Sequence, residues 1–302
     1  MRLSIKAFIL SSACVPFIFI SVFAQTQTAP PSTEIFLVDL SNRNDRLRVG
    51  EPLNITNRDG YDNQPAFIEN GQSILFTSIR SDNQADIYKY NIKSDLLTRI
   101  TETKEGEYSP TLTPDGKFIS VIRVEADSTQ RLWKFPLKGG EPALVLETIK
   151  PVGYHVWVNA GTVIVFILGT PNTLQIIDLK SEKAEVISEN VGRSLHRRPG
   201  QQRFTFVHKL SDKEWVIKEL DFKTREVQTL IKTLPGSEDY VWMPGGIALM
   251  ANGAKLFKWD PKQNADWQEV ADFSGAGLKS ITRLAVSPKG DRLALVATTE
   301  SK

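Results

Sequence analysis

The chain has 302 residues, of which 41% are hydrophobic, and a formal net charge of +2. This hydrophobic content supports a packed core and is too low for a protein with many membrane spans. The balanced charge argues against a nucleic-acid partner, because nucleic-acid binding usually needs a basic surface. Cys14 is the only cysteine. A mature domain without it has no disulfide, so we expect a core large enough to be stable without one.

The first 24 residues have the pattern of a secretory signal peptide. Two basic residues precede an apolar run from 7 to 23, and Val22 and Ala24 supply the small residues of a cleavage site. An uncleaved membrane anchor is the alternative, since the run is nearly long enough to cross a bilayer. The polar, proline-containing segment 25–33 predicts a flexible linker. We expect a periplasmic or secreted mature protein with no stable membrane span.

From residue 34 onward, a strand–turn–strand unit recurs six times around a glycine. The separations between these glycines are 45, 45, 39, 46 and 44 residues, the length of a four-stranded propeller blade. The glycines are Gly71, Gly116, Gly161, Gly200, Gly246 and Gly290. The pairs Asn70-Gly71 and Asp115-Gly116 predict two-residue hairpins. Alternating apolar and polar residues after the hairpins predict the third strands. These third strands are 87–92, 132–137, 174–179, 215–220 and 256–260.

The sixth repeat is too short to form a blade by itself. Only twelve residues follow Gly290, too few for a third and a fourth strand. Residues 35–40 match the third-strand pattern of the other repeats, and residues 47–56 match the outer strand. Pairing the N-terminal segment with 284–298 would close the ring and remove its exposed sheet edges. We therefore predict an all-β, six-bladed β-propeller over residues 34–300, closed by N-terminal strands that complete the last blade.

The first two repeats resemble a known family. The segments QPAFIENGQSILFTSIRSDNQADIYKYNI and SPTLTPDGKFISVI are similar to the Pro-Asp-Gly repeats of the TolB-type β-propellers, which are related in architecture to WD-repeat propellers. The motif returns at residues 287–290 and is degenerate in repeats three to five. The resemblance covers about residues 34–300 and implies an exported binding or scaffolding module. TolB itself has an additional N-terminal α/β domain, whereas only a short linker precedes the repeats here, so its role in the cell envelope does not carry over.

The sequence offers few groups suited to catalysis. It has no Gly-x-Ser-x-Gly nucleophile elbow, and the predicted mature chain has no cysteine. Peptidases that carry this kind of propeller also have a separate catalytic domain, for which no residues are left. His155 and His196 do not occupy equivalent repeat positions, and His208 lies in the same repeat as His196. We therefore predict no catalytic residue, no metal site and no cofactor.

Two further interpretations concern residues on the strands. Trp157 and Trp242 share one position of the innermost strand, which predicts packing between blades rather than carbohydrate stacking. The carboxylates Asp86, Asp178 and Glu219 flank third strands and are interpreted as solvated strand ends.

The best candidates for ligand contact follow from propeller geometry. The innermost strand of each blade lines the central channel, and ligands usually bind at the channel mouth. We place the start of that strand seven residues before each turn glycine. The resulting ring is Gln64, Ser109, Tyr154, Arg193, Asp239 and Arg283. Its two arginines either hold a carboxylate or phosphate through forked hydrogen bonds, or pair with Asp239 and water.

We therefore expect a non-catalytic, exported propeller that binds a protein or a small-molecule ligand at the channel mouth. The alternative is a channel-site enzyme, a hydrolase or lyase acting on a sugar or peptide. A carboxylate, a histidine and an arginine converging on a deep pocket would favour the enzyme. A ring of salt-bridged side chains would favour the binding module.

Overall fold

The computed structural model describes residues 30–43, 46–263 and 265–299. These residues form twenty-five β-strands and two single-turn 3₁₀ helices, Glu69–Gly71 and Ser274–Ala276. The strands make six antiparallel sheets, each one blade of a propeller. None of the described helices is long and apolar enough to cross a membrane. The predicted signal peptide and residues 25–29 of the predicted linker lie outside the described residues.

The strands are numbered in chain order. The three strands ahead of the first repeat are β1 (Glu34–Arg43), β2 (Arg46–Val49) and β3 (Leu53–Asn54). The first blade is β4 (Tyr61–Ile68), β5 (Ser73–Ile79), β6 (Ala85–Asn91) and β7 (Leu96–Arg99). The second is β8 (Gly106–Leu112), β9 (Phe118–Val124), β10 (Gln130–Pro136) and β11 (Ala143–Leu144). The third is β12 (Val152–Asn159), β13 (Thr162–Ile167), β14 (Thr173–Asp178) and β15 (Ala184–Glu189).

The remaining blades follow the same order, from the channel outward. The fourth is β16 (Val191–Arg197), β17 (Arg203–Lys209), β18 (Trp215–Asp221) and β19 (Val227–Lys232). The fifth is β20 (Tyr240–Trp242), β21 (Ala248–Asn252), β22 (Lys255–Trp259) and β23 (Gln268–Asp272). The sixth begins with β24 (Leu278–Val286) and β25 (Arg292–Thr299). Its other strands come from the N-terminal segment.

Closure by the N-terminal segment is confirmed. β1 pairs antiparallel with β25, with Ile35 opposite Val296 and Val38 opposite Leu293. β2 and β3 then pair with the outer side of β1. The sequence predicted a single outer strand at 47–56, but the structure has two short strands there, so the prediction is wrong in detail. The segment between β2 and β3 contains Pro52, which has no N–H group to donate to a sheet.

The core lies between neighbouring blades. Alternate side chains of β1 face opposite sides of the sixth blade, as period-2 geometry requires. Ile35 and Leu37 pack against the first blade, in a cluster with Phe76. Phe36 and Val38 pack against the fifth blade, in a cluster that includes residues of that blade such as Leu249. The strand that closes the ring therefore also joins the hydrophobic cores of both neighbouring blades.

The two shared tryptophans are buried between blades, which confirms the packing interpretation. The Nε1 group of Trp157 donates to Ser120 Oγ on β9 at 2.8 Å. The Nε1 group of Trp242 donates to Thr205 Oγ1 on β17 at 2.8 Å. In both cases an innermost strand is tied to the second strand of the preceding blade. The indole thus packs as an apolar group while its only donor is satisfied.

The turns are longer than the predicted two-residue hairpins. At the first turn, Glu69 and Asn70 have φ values of 52° and 55°, and Gly71 follows at 85°. At the second turn, Gly116 N–H donates to the carbonyl oxygen of Thr113 at 2.9 Å, and Thr113 Oγ1 donates to Asp115 Oδ1 at 2.6 Å. Local hydrogen bonds therefore form a wider loop, in which glycine supplies the positive φ.

The interpretation of the third-strand carboxylates is wrong for two of them. Asp178 is exposed, but Asp86 and Glu219 are each only 1% exposed. Their charges are compensated by guanidinium groups. Arg99 Nη2 contacts Asp86 Oδ2 at 2.6 Å, and Arg198 Nη1 contacts Glu219 Oε2 at 2.7 Å. Such pairing allows a carboxylate to be buried, whereas an unpaired one would have to be neutralised.

Candidate ligand site at the channel mouth

The six predicted ring residues line one cavity of about 280 Å³. Five of them lie within the innermost strands of their blades, and Asp239 directly precedes β20. The predicted strand starts are wrong. β12 begins at Val152, two residues before Tyr154, and β24 begins at Leu278, five residues before Arg283. The constant distance from the turn glycine nevertheless selects residues that converge.

A β-bulge accompanies the ring position in five of the six blades, and the sequence analysis did not find it. The register shifts lie between Asn63 and Ala66, Tyr108 and Thr111, Val152 and Tyr154, Val191 and Leu195, and Ile281 and Arg283. A bulge inserts an extra residue, bends the strand and re-aims a side chain. The prolines that follow Gln64 and Ser109 are the sequence signal for it, because proline inside a strand commonly marks a bulge.

The charged part of the ring is an ion-pair network around Asp239. Arg193 Nη2 contacts Asp239 Oδ2 at 2.5 Å, and Arg283 Nη1 contacts Asp239 Oδ1 at 2.8 Å. Arg283 Nη2 also donates to the Tyr154 hydroxyl at 2.8 Å. Burial alone would lower the pKa of Arg193, but its hydrogen bond to Asp239 and the charge of that carboxylate raise it above the usual value. Arg193 therefore remains charged.

A second carboxylate supports Arg193 from outside this cavity. Glu238 Oε1 accepts a hydrogen bond from the backbone N–H of Arg193, and Lys209 Nζ contacts Glu238 Oε2 at 3.3 Å. The neighbouring Gly192 leaves room for this approach, because a Cβ atom there would collide with Glu238 Oε1. The backbone at Arg193 is thereby fixed to the fifth blade.

The uncharged part of the ring is linked through an amide. The Gln64 side-chain oxygen accepts from the Ser109 backbone N–H at 2.8 Å and from Thr77 Oγ1 at 3.0 Å. Gln64 and Ser109 have φ values of 58° and 54°, a region in which non-glycine residues are uncommon. These hydrogen bonds join the first and second blades at the channel mouth.

Two of the three histidines also line the cavity. His155 is buried, and its Nε2 atom lies 2.7 Å from Ser120 Oγ. His196 Nε2 lies 3.0 Å from Ser194 Oγ. Burial lowers the pKa of His155 to about 3 and that of His196 to about 4. Both imidazoles are therefore neutral at physiological pH. Among the described residues, no group of three or more His, Cys, Asp or Glu side chains is arranged to hold a metal ion.

Two tyrosines near the ring were not singled out from the sequence. Burial raises the pKa of Tyr61 to about 12, against the lowering influence of Arg283 and Arg193. Tyr108 lies close enough to Tyr61 to raise the pKa of Tyr61 further. These phenols stay protonated at neutral pH and can donate hydrogen bonds. Tyr61 lies three residues before Gln64, and Tyr108 lies one residue before Ser109. Because the two offsets differ, the repeat pattern of the sequence could not identify these tyrosines.

The carboxylate and the two histidines of the cavity already have hydrogen-bond partners. Both oxygens of Asp239 accept from arginines, and the two histidines are neutral and bonded to serines. A general base would need an accessible lone pair and a pKa near neutrality. The cavity instead presents guanidinium, phenol, amide and hydroxyl donors.

Comparison with known proteins supports the fold. No family model matches the chain, and no curated protein matches it by sequence. A structure assigned to TolB from Agrobacterium tumefaciens is 12% identical with a TM-score of 0.68, and the match covers 89% of this chain and 99% of that one. TolB from Acinetobacter baumannii is 13% identical with a TM-score of 0.57, over 88% of this chain and 64% of that one. A structure assigned to a gluconolactonase is 8% identical with a TM-score of 0.59, over 82% of this chain and 92% of that one.

Proposed function

We propose that the mature protein is an exported, non-catalytic β-propeller of the TolB type. It acts in the periplasm or outside the cell as a binding or scaffolding module, and a protein or small-molecule ligand occupies its channel mouth. The TolB-like repeats of the first two blades support this assignment, and so does the similarity of the fold to two TolB structures.

The observation that carries the binding proposal is the network around Asp239. This carboxylate is held between Arg193 and Arg283 at 2.5 and 2.8 Å, so it is not free to take a proton from a substrate. The network presents fixed hydrogen-bond donors to the cavity instead. Preorganised donors at the mouth of a concave site are what ligand recognition requires.

The alternative is a channel-site enzyme, a hydrolase or lyase acting on a sugar or peptide. The fold-level similarity to the gluconolactonase structure favours it, as does the presence of Asp239 and His196 in one cavity. The salt-bridged state of Asp239 and the low pKa of His196 weigh against it. We therefore keep binding as the proposed function.

Export is tested by sequencing the N-terminus of the protein recovered from its own cells. We expect the mature chain to begin at Gln25 and to be found in the periplasmic or extracellular fraction. Recovery of an uncleaved chain that begins at Met1, in any compartment, would contradict the proposal.

Binding is tested by affinity capture from the same fraction. The parent protein is compared with the double variant Arg193→Ala/Arg283→Ala and with Arg225→Ala. Arg225 is an exposed arginine that pairs with Glu185 away from the cavity, so it controls for loss of a positive charge. We expect the double variant alone to lose the ligand. If it captures every ligand as well as the parent does, the channel mouth is not the binding site.

Catalysis is tested with lactone, glycoside and peptide substrates. Turnover by the parent that disappears in the Arg193→Ala/Arg283→Ala variant, but persists in Arg225→Ala, would establish the enzyme and reject the non-catalytic module.

A further inference from the structure

We infer that the channel-mouth cavity binds a small organic anion, with its carboxylate or phosphate against the arginines and a short apolar body against the opposite half of the ring. This inference rests on the proposed binding function and names the chemical class of the ligand. It follows from the uneven distribution of charge around the cavity.

The cavity has a charged half and an uncharged half. Its charged side chains all come from blades four to six, and blades one to three contribute only uncharged ones. His155 belongs to the uncharged half, because it is neutral at physiological pH. In a six-bladed ring, blades one to three lie opposite blades four to six. The cationic side chains at the cavity therefore all originate on one side, and only Arg283 reaches across, to the Tyr154 hydroxyl of the third blade.

The charged half has more arginines than carboxylates. Arg193, Arg197 and Arg283 line the cavity together with a single carboxylate, that of Asp239. Glu238 approaches the guanidinium Nε of Arg193 only to 4.0 Å, lies outside this cavity and is engaged by Lys209. The lining therefore has an excess of positive charge, which a low-dielectric channel makes more effective.

Arg197 is the least compensated of the three arginines. Its Nε and Nη1 groups donate to the carbonyl oxygens of Gln201 and Val158, at 3.1 and 3.3 Å. Among the described residues no carboxylate lies within ion-pairing distance of it. Its guanidinium is positioned by these neutral acceptors and lies 5.9 Å from the centre of the Phe204 ring. Arg197 has five N–H donors and uses few of them here.

The network around Asp239 also leaves donors unused. Arg193 bonds Asp239 through Nε and Nη2, which leaves Nη1 without a partner among the described residues. Arginine commonly binds carboxylates and phosphates through two parallel N–H groups. An anion at the Arg193 guanidinium would satisfy a donor that the protein itself does not.

The uncharged half fits a short apolar body. Two residues beyond the ring on the first three blades, the lining is Ala66, Thr111 and Val156. Pro65 and Pro110 add further apolar surface and carry no N–H group. The volume of about 280 Å³ is just below the range of about 300–1,000 Å³ that is usual for small-molecule sites. A molecule with one anionic group and a single ring or short chain would fit.

The test is isothermal titration of the mature full chain in a buffer free of carboxylate and phosphate. The probes are benzoate, phenyl phosphate, benzamide and acetate. Benzamide matches benzoate in size without its charge, and acetate has the charge without the ring. We expect benzoate or phenyl phosphate to bind at least about tenfold more tightly than benzamide and acetate. Whichever of the two binds more tightly distinguishes a carboxylate ligand from a phosphate ester.

Three single variants locate the site. Arg197→Gln and Arg283→Gln should each lower the affinity for the tighter-binding anion by about tenfold or more, whereas Arg225→Gln should leave that affinity unchanged. Arg197 is exposed, so its variant is expected to fold even if the Arg283 variant does not, and thermal melts check both. The inference is overturned if benzamide binds as well as the anions or if Arg197→Gln binds like the parent. It also fails if neither aromatic anion binds at about 10 mM.

The outcome separates this inference from the proposed function. If Arg193→Ala/Arg283→Ala loses a captured partner while none of the anions binds, the binding module stands and the small-anion inference is wrong. If the anions bind but are turned over, the ligand class stands and the non-catalytic function is wrong.

Discussion

Deleting the strand that closes the ring should abolish folding. Deletion of residues 34–40 removes most of β1 and with it the pairing to β25. Five buried apolar side chains are lost, each no more than 7% exposed: Ile35, Phe36, Leu37, Val38 and Leu40. At about 1.5–3 kcal/mol for each buried side chain, the loss is roughly 7–15 kcal/mol. This equals the whole stability of a typical domain, about 5–15 kcal/mol, so no cooperative thermal transition should remain.

The assay is calorimetry or circular dichroism during heating, with a graded series of point variants beside the deletion. Phe36→Ala removes one buried ring and should cost about 3–5 kcal/mol. Leu53→Ala alters β3 on the outer side of β1, where Leu53 is 61% exposed, and should change stability by less than about 0.5 kcal/mol. Truncation after residue 284, which removes β25, should act like the deletion. A single sharp melt near the parent temperature for either truncated chain would refute closure as the source of cooperativity.

Three further predictions follow from buried polar groups. Burial raises the pKa of Glu107 to about 7, so the folded protein holds this proton more tightly than the unfolded chain. The free energy of unfolding of the parent protein, relative to that of Glu107→Gln, should therefore fall by about 3 kcal/mol between pH 4.5 and 7. A difference between the two proteins that stays constant with pH in urea unfolding would contradict this. Thr205→Val leaves the Trp242 indole N–H unpaired, so its free energy of unfolding should be about 1–3 kcal/mol lower than that of Thr205→Ser. Because its pKa is about 3, the His155 imidazole should show no NMR titration between pH 5 and 8; a midpoint near 6.5 would show that it is solvated.

The ring architecture could be predicted because it depends on local and repeated features. A glycine turn every 39 to 46 residues defines the blades, and the short sixth repeat can be completed only by strands from elsewhere. Contacts set by strand register could not be predicted in this way. Arg99 reaches Asp86 across the outer pair of the first blade, and Arg198 reaches Glu219 from the loop after β16. Without those partners the two carboxylates appear solvated, although both are buried.

The ring residues were found through a correct spacing and an incorrect strand boundary. Counting seven residues back from the turn locates the channel because a bulge recurs there, not because the strand begins there. At Gln64 and Ser109 the backbone adopts a conformation that costs about 1 kcal/mol or more. It persists because Gln64 accepts from the Ser109 N–H and the Thr77 hydroxyl. The uncharged half of the mouth is therefore shaped by backbone constraints, and the charged half by the attraction of two arginines to Asp239. An incoming anion can alter only the charged half, so any ligand response should appear in blades four to six and at Tyr154, which Arg283 contacts.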